Sequence, residues 1–268
     1  MIWLTVILLG IAVGLVMGLT GAGGGIVGVP ALVFVLGWSM QAAMPVALLA
    51  VTVAAAIGAA AGLRKKLVRY RAAMLMAVVG APFTMLGVML AKVTAQRWLM
   101  LGFALILFSV AIRLIMQLRH LASGRQDHQA RVLVNQDTGR FQWTWGTGVV
   151  IGSIGSVAGL MTGLLGVGGG FVIVPLLQRF TNVSLQAVMA TSLLTIALVG
   201  SAGVASALAG GAQLPVVFSA VFMSATILGM LAGRRLAGNL SVTTVQALFA
   251  ILLLLVAGSL IFRALVAA

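Results

Sequence analysis

The chain has 268 residues, of which 62% are hydrophobic and 7% charged, and its formal net charge is +14. A soluble domain carries about 25% charged residues, so this composition excludes a soluble protein and predicts a polytopic membrane protein. The apolar runs are too long and continuous for the roughly 10-residue alternating strands of a membrane barrel, which leaves helices as the spanning structure. Without cysteine, the chain forms no disulfide and no thiolate metal site.

Ten apolar runs follow one another, five on each side of a polar segment. They cover residues 3–19, 26–37, 42–63, 72–91 and 98–117, and then 145–165, 171–177, 187–208, 214–233 and 245–262. A helix needs about 20 apolar residues to cross a bilayer, so the second run of each half is too short to span comfortably. We predict that each short run is a half-helix, part of a re-entrant hairpin or of a broken span. The first run lacks a basic leader and a small-residue cleavage site, and is interpreted as the first span.

A glycine-rich stretch precedes each short run. Residues 18–25 read GLTGAGGG and residues 163–170 read GLLGVGGG, and each is followed by Val-Pro at 29–30 and 174–175. The offset of 145 (159 − 14) holds without a gap from Gly10, which pairs with Gly155, to Gly58, which pairs with Gly203. The chain is therefore predicted to be two copies of one unit, residues 1–117 and 145–268, joined by a linker at 118–144.

The basic residues predict the orientation of these helices. Of the 16 Lys and Arg residues, 13 fall on the side of the linker and 3 (Lys92, Arg97 and Arg263) on the other. Because positive charge in membrane proteins concentrates in cytoplasmic loops, the linker is predicted to be cytoplasmic and the termini periplasmic, in a bacterial inner membrane. The same rule explains the high charge without a nucleic-acid partner. Each half then crosses the membrane an odd number of times, which makes the second copy inverted, an architecture typical of secondary transporters.

The linker is the one clearly polar segment. It contains both acidic residues and both histidines of the chain, namely Asp127, Asp137, His120 and His128. Residues 131–143 carry a Gly-bearing turn between apolar pairs, which predicts a short hairpin. A cytoplasmic tether is the simpler interpretation of the linker, and a His/Asp metal or regulatory site is the alternative.

The apolar runs lack the residues that most membrane enzymes and proton-coupled carriers use. They contain no Asp, Glu, His or Cys, so they offer no carboxylate proton relay, catalytic triad or metal-ligand cluster. The chain also has no G-x-x-x-x-G-K-[ST] motif, and its glycine runs do not fit G-x-G-x-x-G. We therefore predict neither an enzyme nor a cofactor.

The glycines divide into two groups. Gly10, Gly14 and Gly18, with their counterparts Gly155, Gly159 and Gly163, are spaced by four and predict close helix packing. Three adjacent glycines, at Gly23–Gly25 and again at Gly168–Gly170, instead predict an unwound segment with exposed backbone N–H groups. A helix that begins after such a break aims the positive end of its dipole at the break, which suits an anion.

Polar residues near the runs are candidates to complete an anion site. Gln41 and Gln186 occupy equivalent repeat positions, and Thr191 and Ser192 follow the second short run. The alternative for the hydroxyls is a bond to a carbonyl of their own helix. Arg179 is a candidate for steering anions, with an ordinary cytoplasmic anchor as its alternative.

Both glycine stretches fit the pattern G-x-x-x-G-x-x-G-x-G-G-G-x-x-x-V-P, at 14–30 and 159–175. This pattern resembles that of the sulfite exporter TauE/SafE family. Ala190-Thr191-Ser192-Leu193 resembles the family's G-T-S-L segment, with Ala in place of Gly, whereas Pro45-Val46-Ala47-Leu48 in the first half departs from it. The resemblance implies a membrane transporter, often an exporter, of sulfur-containing anions such as sulfite, sulfoacetate or other organosulfonates.

The sequence thus predicts an all-α polytopic membrane protein that transports a small anion by alternating access at a midplane site. An anion channel and a non-transporting scaffold subunit are the alternatives. The predicted substrate-binding residues are Gly23, Gly24, Gly25, Gln41, Gly168, Gly169, Gly170, Gln186, Thr191 and Ser192.

Overall fold

A computed structural model describes residues 2–21, 24–122, 144–181, 183–237 and 241–266 of the chain. These residues form ten helices: α1 Ile2–Thr20, α2 Gly24–Leu36, α3 Met40–Arg64, α4 Tyr70–Val93, α5 Gln96–Ala122, α6 Trp145–Leu165, α7 Gly170–Phe180, α8 Leu185–Ala209, α9 Val216–Ala237 and α10 Val242–Val266. The hairpin predicted at 131–143 lies outside the described residues, as do Gly23 and most of the alternative metal site, namely Asp127, His128 and Asp137.

Each of the ten predicted apolar runs is a helix, and eight of those helices are long and apolar enough to cross a membrane. The two shorter ones are α2, with 13 residues, and α7, with 11. At 1.5 Å per residue they extend about 20 Å and 16 Å, less than the roughly 30 Å thickness of a bilayer core. The prediction of an all-helical, multi-pass membrane protein is therefore confirmed.

The helices pack in pairs that follow the internal repeat. Helix α1 packs along α9, and its counterpart α6 packs along α4, while α3 packs on α8 and α5 on α10. Exchanging every helix for its counterpart in the other half leaves this set of pairs unchanged. The most extensive contacts therefore join the two halves, as expected for two intertwined copies of one unit.

Glycine contacts show the direction of each pair. Helices α1 and α9 run parallel, since Gly10, Gly14 and Gly18 meet Phe222, Thr226 and Met230 in that order. Helices α6 and α4 are parallel too, since Gly155, Gly159 and Gly163 meet Met76, Gly80 and Thr84. Helices α3 and α8 are antiparallel, since Leu48 and Thr52 meet Gly203 and Gly200. These directions are consistent with an inverted repeat, in which counterpart helices such as α3 and α8 must oppose each other.

The six glycines spaced by four are packing residues, as predicted. A Cβ built on Gly155 would lie 2.6 Å from the carbonyl oxygen of Met76, and one on Gly10 would lie 2.9 Å from that of Phe222. Helices in lipid gain no hydrophobic free energy by associating, so close backbone approach of this kind stabilises their contact.

Candidate functional site

The two glycine runs meet at the centre of the helix bundle. A Cβ on Gly25, in the first run, would overlap the carbonyl oxygen of Val167, in the second. One on Gly168 would lie 3.2 Å from Cγ1 of Val51 and 3.0 Å from Cγ2 of Ile196. Val51 and Ile196 lie near the middle of α3 and α8, so the runs lie midway along these two long helices.

The second glycine run is unwound, as predicted. Gly166, Gly168 and Gly169 have φ values of +67°, +82° and +63°, a left-handed conformation that favours glycine. The N–H of Gly166 donates to the carbonyl of Thr162 at 2.9 Å and ends α6, and Gly169 is the N-cap of α7. The chain therefore breaks between α6 and α7 over residues 166–169, while Gly170, also predicted to be unwound, is the first residue of α7.

The first run differs from the prediction, because Gly24 and Gly25 already belong to the first turn of α2. The left-handed residue here is Gly21, with a φ of +70°. Gly24 is confined by α1, since its Cβ would lie 2.8 Å from the carbonyl oxygen of Val13. These two glycines thus permit α2 to begin where it packs closely on α1, which ends at Thr20.

Helices α2 and α7 leave the central region toward opposite ends of the bundle. The last turn of α2 contacts Arg263, near the end of α10, whereas Gln178 of α7 lines the same crevice as Gln246, near the start of α10. Their N-termini therefore both face the central region. The first N–H groups of a helix have no partner within it and carry about half a positive charge, so two such ends suit an anion.

Ser192 is the predicted polar residue that lies beside the runs. It shares one face of α8 with Met189 and Ile196, which contact Gly21 and Gly168. Ser192 is fully buried, and its Oγ has no hydrogen-bond partner among the residues that the structure describes. A buried hydroxyl without a partner is costly, and a bound anion would accept its hydrogen bond.

Sequence reasoning missed Thr52, the neighbour of Val51 on α3. Thr52 is 6% exposed, packs against Gly200 of α8, and has an Oγ1 without a partner in the described part of the chain. One sequence signal pointed to it, because Thr52 is the sole hydroxyl residue in α3. Its counterpart in the repeat is Ala197 (52 + 145), so a search for polar residues at equivalent positions of both halves does not find it.

Thr191 is used in a structural contact. Its Oγ1 donates to the carbonyl of Ala187 at 2.7 Å and accepts from the backbone N–H of Arg69 at 3.0 Å. The bond from Arg69 ties the start of α8 to the segment before α4, while the bond to Ala187 lies within α8. The hydroxyl of Thr191 therefore has partners already, unlike that of Ser192.

The structure does not bring Gln41 and Gln186 to the glycine runs. Both are exposed, and Nε2 of Gln41 lies 3.5 Å from the carbonyl oxygen of Thr94 at the end of α4. Each glutamine precedes the central residue of its helix, Val51 or Ile196, by ten positions, a rise of about 15 Å. The two glutamines therefore lie at opposite ends of the α3–α8 pair.

Three positively charged side chains in the described helices donate hydrogen bonds to backbone carbonyls. Lys92 donates to Gly210 at 2.6 Å, Arg234 to Gly58 at 2.8 Å and Arg263 to Val33 at 2.7 Å. Arg179 is exposed and lies over its neighbour Phe180. The described residues include no carboxylate and no group of three His, Cys, Asp or Glu that could hold a metal, so no acidic side chain repels an anion there.

These features define a multi-pass helical membrane protein with two short helices that begin at a central, glycine-lined region. A family model described as sulfite exporter TauE/SafE matches residues 6–260, nearly the whole chain. The chain therefore belongs to the sulfite exporter TauE/SafE family and is a membrane transporter of that family.

Two relatives carry names that agree with this assignment. A probable membrane transporter protein of Bacillus subtilis, YunE, is 23% identical over 98% of each chain. A probable membrane transporter protein of Xylella fastidiosa is 29% identical over 70% of this chain and 67% of its own. No solved structure matches the chain significantly. The family and these names favour transport over catalysis.

Proposed function

We propose that this protein is a secondary transporter that exports a small sulfur oxyanion, such as sulfite, sulfoacetate or another organosulfonate, from the bacterial cytoplasm. Its family supports the sulfur oxyanion. The distribution of basic residues supports an inner-membrane protein with a cytoplasmic linker and periplasmic termini. Alternating access arises as the two repeats rock about the central region.

One observation carries this proposal: the N-termini of α2 and α7 face the central region, beside the unpaired hydroxyl of Ser192. The backbone N–H groups around Gly24, Gly25, Gly168, Gly169 and Gly170 replace the hydration shell of the anion. Ser192 and Thr52 donate further hydrogen bonds. Donors of this kind bind an oxyanion without a positive side chain.

Export fits the energetics of an anion. The cytoplasm is electrically negative, and moving one charge through 100 mV changes its free energy by about 2.3 kcal/mol. The membrane potential therefore drives an anion outward without a coupled proton. This agrees with the absence of carboxylates from the described helices.

Flux from reconstituted vesicles tests the proposal. Proteoliposomes loaded with sulfur-radiolabelled sulfite or sulfoacetate are expected to release the label faster than liposomes without the protein. The release rate should saturate with substrate concentration and show counterflow. Release at the control rate for every sulfur anion would reject the proposal and favour the scaffold subunit. Fast, non-saturable release without counterflow would identify an anion channel instead.

A further inference from the structure

A crevice of about 50 Å³ lies along one face of α7. Phe171, Val174, Pro175 and Gln178 form one wall, at the spacing of a single helix face. Residues of α1, α5, α8 and α10 form the other walls. One water needs roughly 10–15 Å³ measured in this way, so the crevice has room for several water molecules or for a short carbon chain.

The crevice begins where the proposed anion site ends. Phe171 follows Gly170, the first residue of α7, and Gln178 lies seven residues further along the same face, a rise of about 10 Å. Thr20, on the opposite wall, precedes the left-handed Gly21. The crevice therefore starts one residue past the first residue of α7, close to where the negative group of a bound anion is proposed to lie.

The chemistry of the walls restricts what fills the space. The lining residues are uncharged and mostly apolar, which disfavours a charged occupant. Gln246 is a buried polar residue of this lining: it is 9% exposed, and its Oε1 has no hydrogen-bond partner within the described ranges. A buried acceptor left unpaired is destabilising, so the occupant that suits the crevice donates a hydrogen bond.

We propose that the crevice binds the uncharged carbon chain of an organic anion, and that Gln246 accepts a hydrogen bond from a hydroxyl group on that chain. This inference rests on the proposed function and narrows it. Inorganic sulfite has no carbon chain and would leave the crevice empty. A hydroxyalkyl sulfonate fills both the central region and the crevice, and Gln246 becomes a specificity-determining residue.

The first test compares sulfite, butanesulfonate and its ω-hydroxy derivative in proteoliposomes. We expect the hydroxylated sulfonate to have the lower KM of the two sulfonates. The Gln246→Leu variant keeps the side-chain size but removes the acceptor. In the wild type we expect the KM of the hydroxylated sulfonate to be at least about fivefold lower than that of butanesulfonate. The variant should abolish this difference and leave the KM of sulfite unchanged. Equal KM values for the two sulfonates in the wild type would overturn the inference.

A second pair of variants tests the apolar wall. Phe249 lines the crevice, whereas Phe262, on the same helix, is 68% exposed. Phe249→Ala should raise the KM of both sulfonates about tenfold without changing that of sulfite, and the matched Phe262→Ala should change none of the three. Identical effects of the two variants would show that the crevice holds something else, such as a lipid chain.

Binding measured by calorimetry on the detergent-purified protein separates this inference from the proposed function. If no sulfur anion is transported, the transport proposal fails, and the Gln246→Leu difference in binding of the ω-hydroxy sulfonate still supports or overturns the crevice assignment. If sulfite is transported while neither sulfonate binds, the crevice assignment fails and the transport proposal stands.

Discussion

At the scale of single residues, the central region is notable for polar atoms that lack partners. Most hydroxyls in the described helices bond to a carbonyl one turn earlier, as Thr84, Thr162 and Thr226 do. Ser192 and Thr52 are buried exceptions. Such exceptions need an explanation, and a transported anion that binds and leaves supplies one.

Replacing Ser192 tests that explanation. Ser192→Ala removes a hydroxyl that has no partner in the described protein, so the fold should lose no stability. Transport should show a KM about tenfold higher, because a hydrogen bond to a charged group contributes about 1.5–3 kcal/mol. Ser201→Ala is the matched control, since Ser201 lies on the same helix and bonds to the carbonyl of Ala197. Equal KM values in the two variants would place the anion elsewhere.

Arg263 is expected to affect stability. It donates to the carbonyls of Val33 and Phe34 and lies 4.7 Å over the Phe34 ring, so it caps the C-terminal end of α2. Arg263→Met should cost about 1–2 kcal/mol, measured as a lower thermal unfolding midpoint. Arg97→Met, at an exposed position, is the control. An unchanged midpoint in Arg263→Met would show that the cap contributes nothing.

At the scale of elements, the two half-helices determine what the bundle offers to a substrate. A continuous helix would use its N–H groups in its own hydrogen bonds, whereas a helix that begins inside the bundle leaves the N–H groups of its first turn without partners in that helix. The glycines that permit this pack closely against the backbone of other segments: Gly25 lies beside the carbonyl of Val167, and Gly169 beside that of Ala158. The breaks are therefore part of the packing and of the proposed anion site.

Gly169→Val tests the break before α7. The new side chain meets a left-handed backbone, with φ at +63°, and its Cβ would lie 2.5 Å from the carbonyl oxygen of Ala158. We expect flux to be abolished while membrane insertion is retained, because the eight long helices are unchanged. Gly258→Val is the control, since a Cβ at Gly258 meets nothing within 4 Å. Wild-type flux in Gly169→Val would show that the glycines of the break serve helix packing only.

At the scale of the whole molecule, two intertwined halves surround one central region. Each half contributes a half-helix and one of the antiparallel pair α3 and α8. The polar atoms are distributed unequally, however: Ser192 has Ala47 as its counterpart (192 − 145), and Thr52 has Ala197. The two halves therefore share a backbone plan but contribute different side chains.

Voltage should affect the transporter as a whole. With no carboxylate in the described helices to carry a compensating proton, the proposed transport of an anion should move net charge. Efflux from loaded proteoliposomes should therefore rise when valinomycin and potassium make the interior negative, and fall when they make it positive. Flux that is the same at both potentials would indicate electroneutral, coupled transport.

The absence of native cysteine allows a direct test of sidedness. Single cysteines introduced as Ser123→Cys in the linker and Ala268→Cys at the C-terminus can be labelled on intact cells with a maleimide that does not cross the membrane. We expect labelling at 268 and not at 123 until the cells are permeabilised. The reverse pattern would contradict the orientation inferred from the basic residues.

The sequence by itself determined the order of the ten helices in the described residues, which two of them are short, and the presence of an internal repeat. Hydropathy is a local property, and a bilayer requires each spanning segment to satisfy its own backbone, so apolar runs translate directly into helices. It also located the break before α7, because adjacent glycines weaken a helix, whereas Gly24 and Gly25 of the first run lie in the first turn of α2. The left-handed Gly168 and Gly169 confirm that prediction for the second run.

Only the tertiary structure decided which side chains accompany those breaks. Equivalent positions made Gln41 and Gln186 attractive candidates, yet each lies about 15 Å along its helix from the central region. The hydroxyl of Thr191 accepts a hydrogen bond from the backbone N–H of Arg69, and Thr52, whose counterpart in the repeat is apolar, is the buried hydroxyl of α3 without a partner in the described residues. These outcomes depend on how helices from separate halves cross, and contacts between residues more than 100 positions apart leave no local trace in a single sequence.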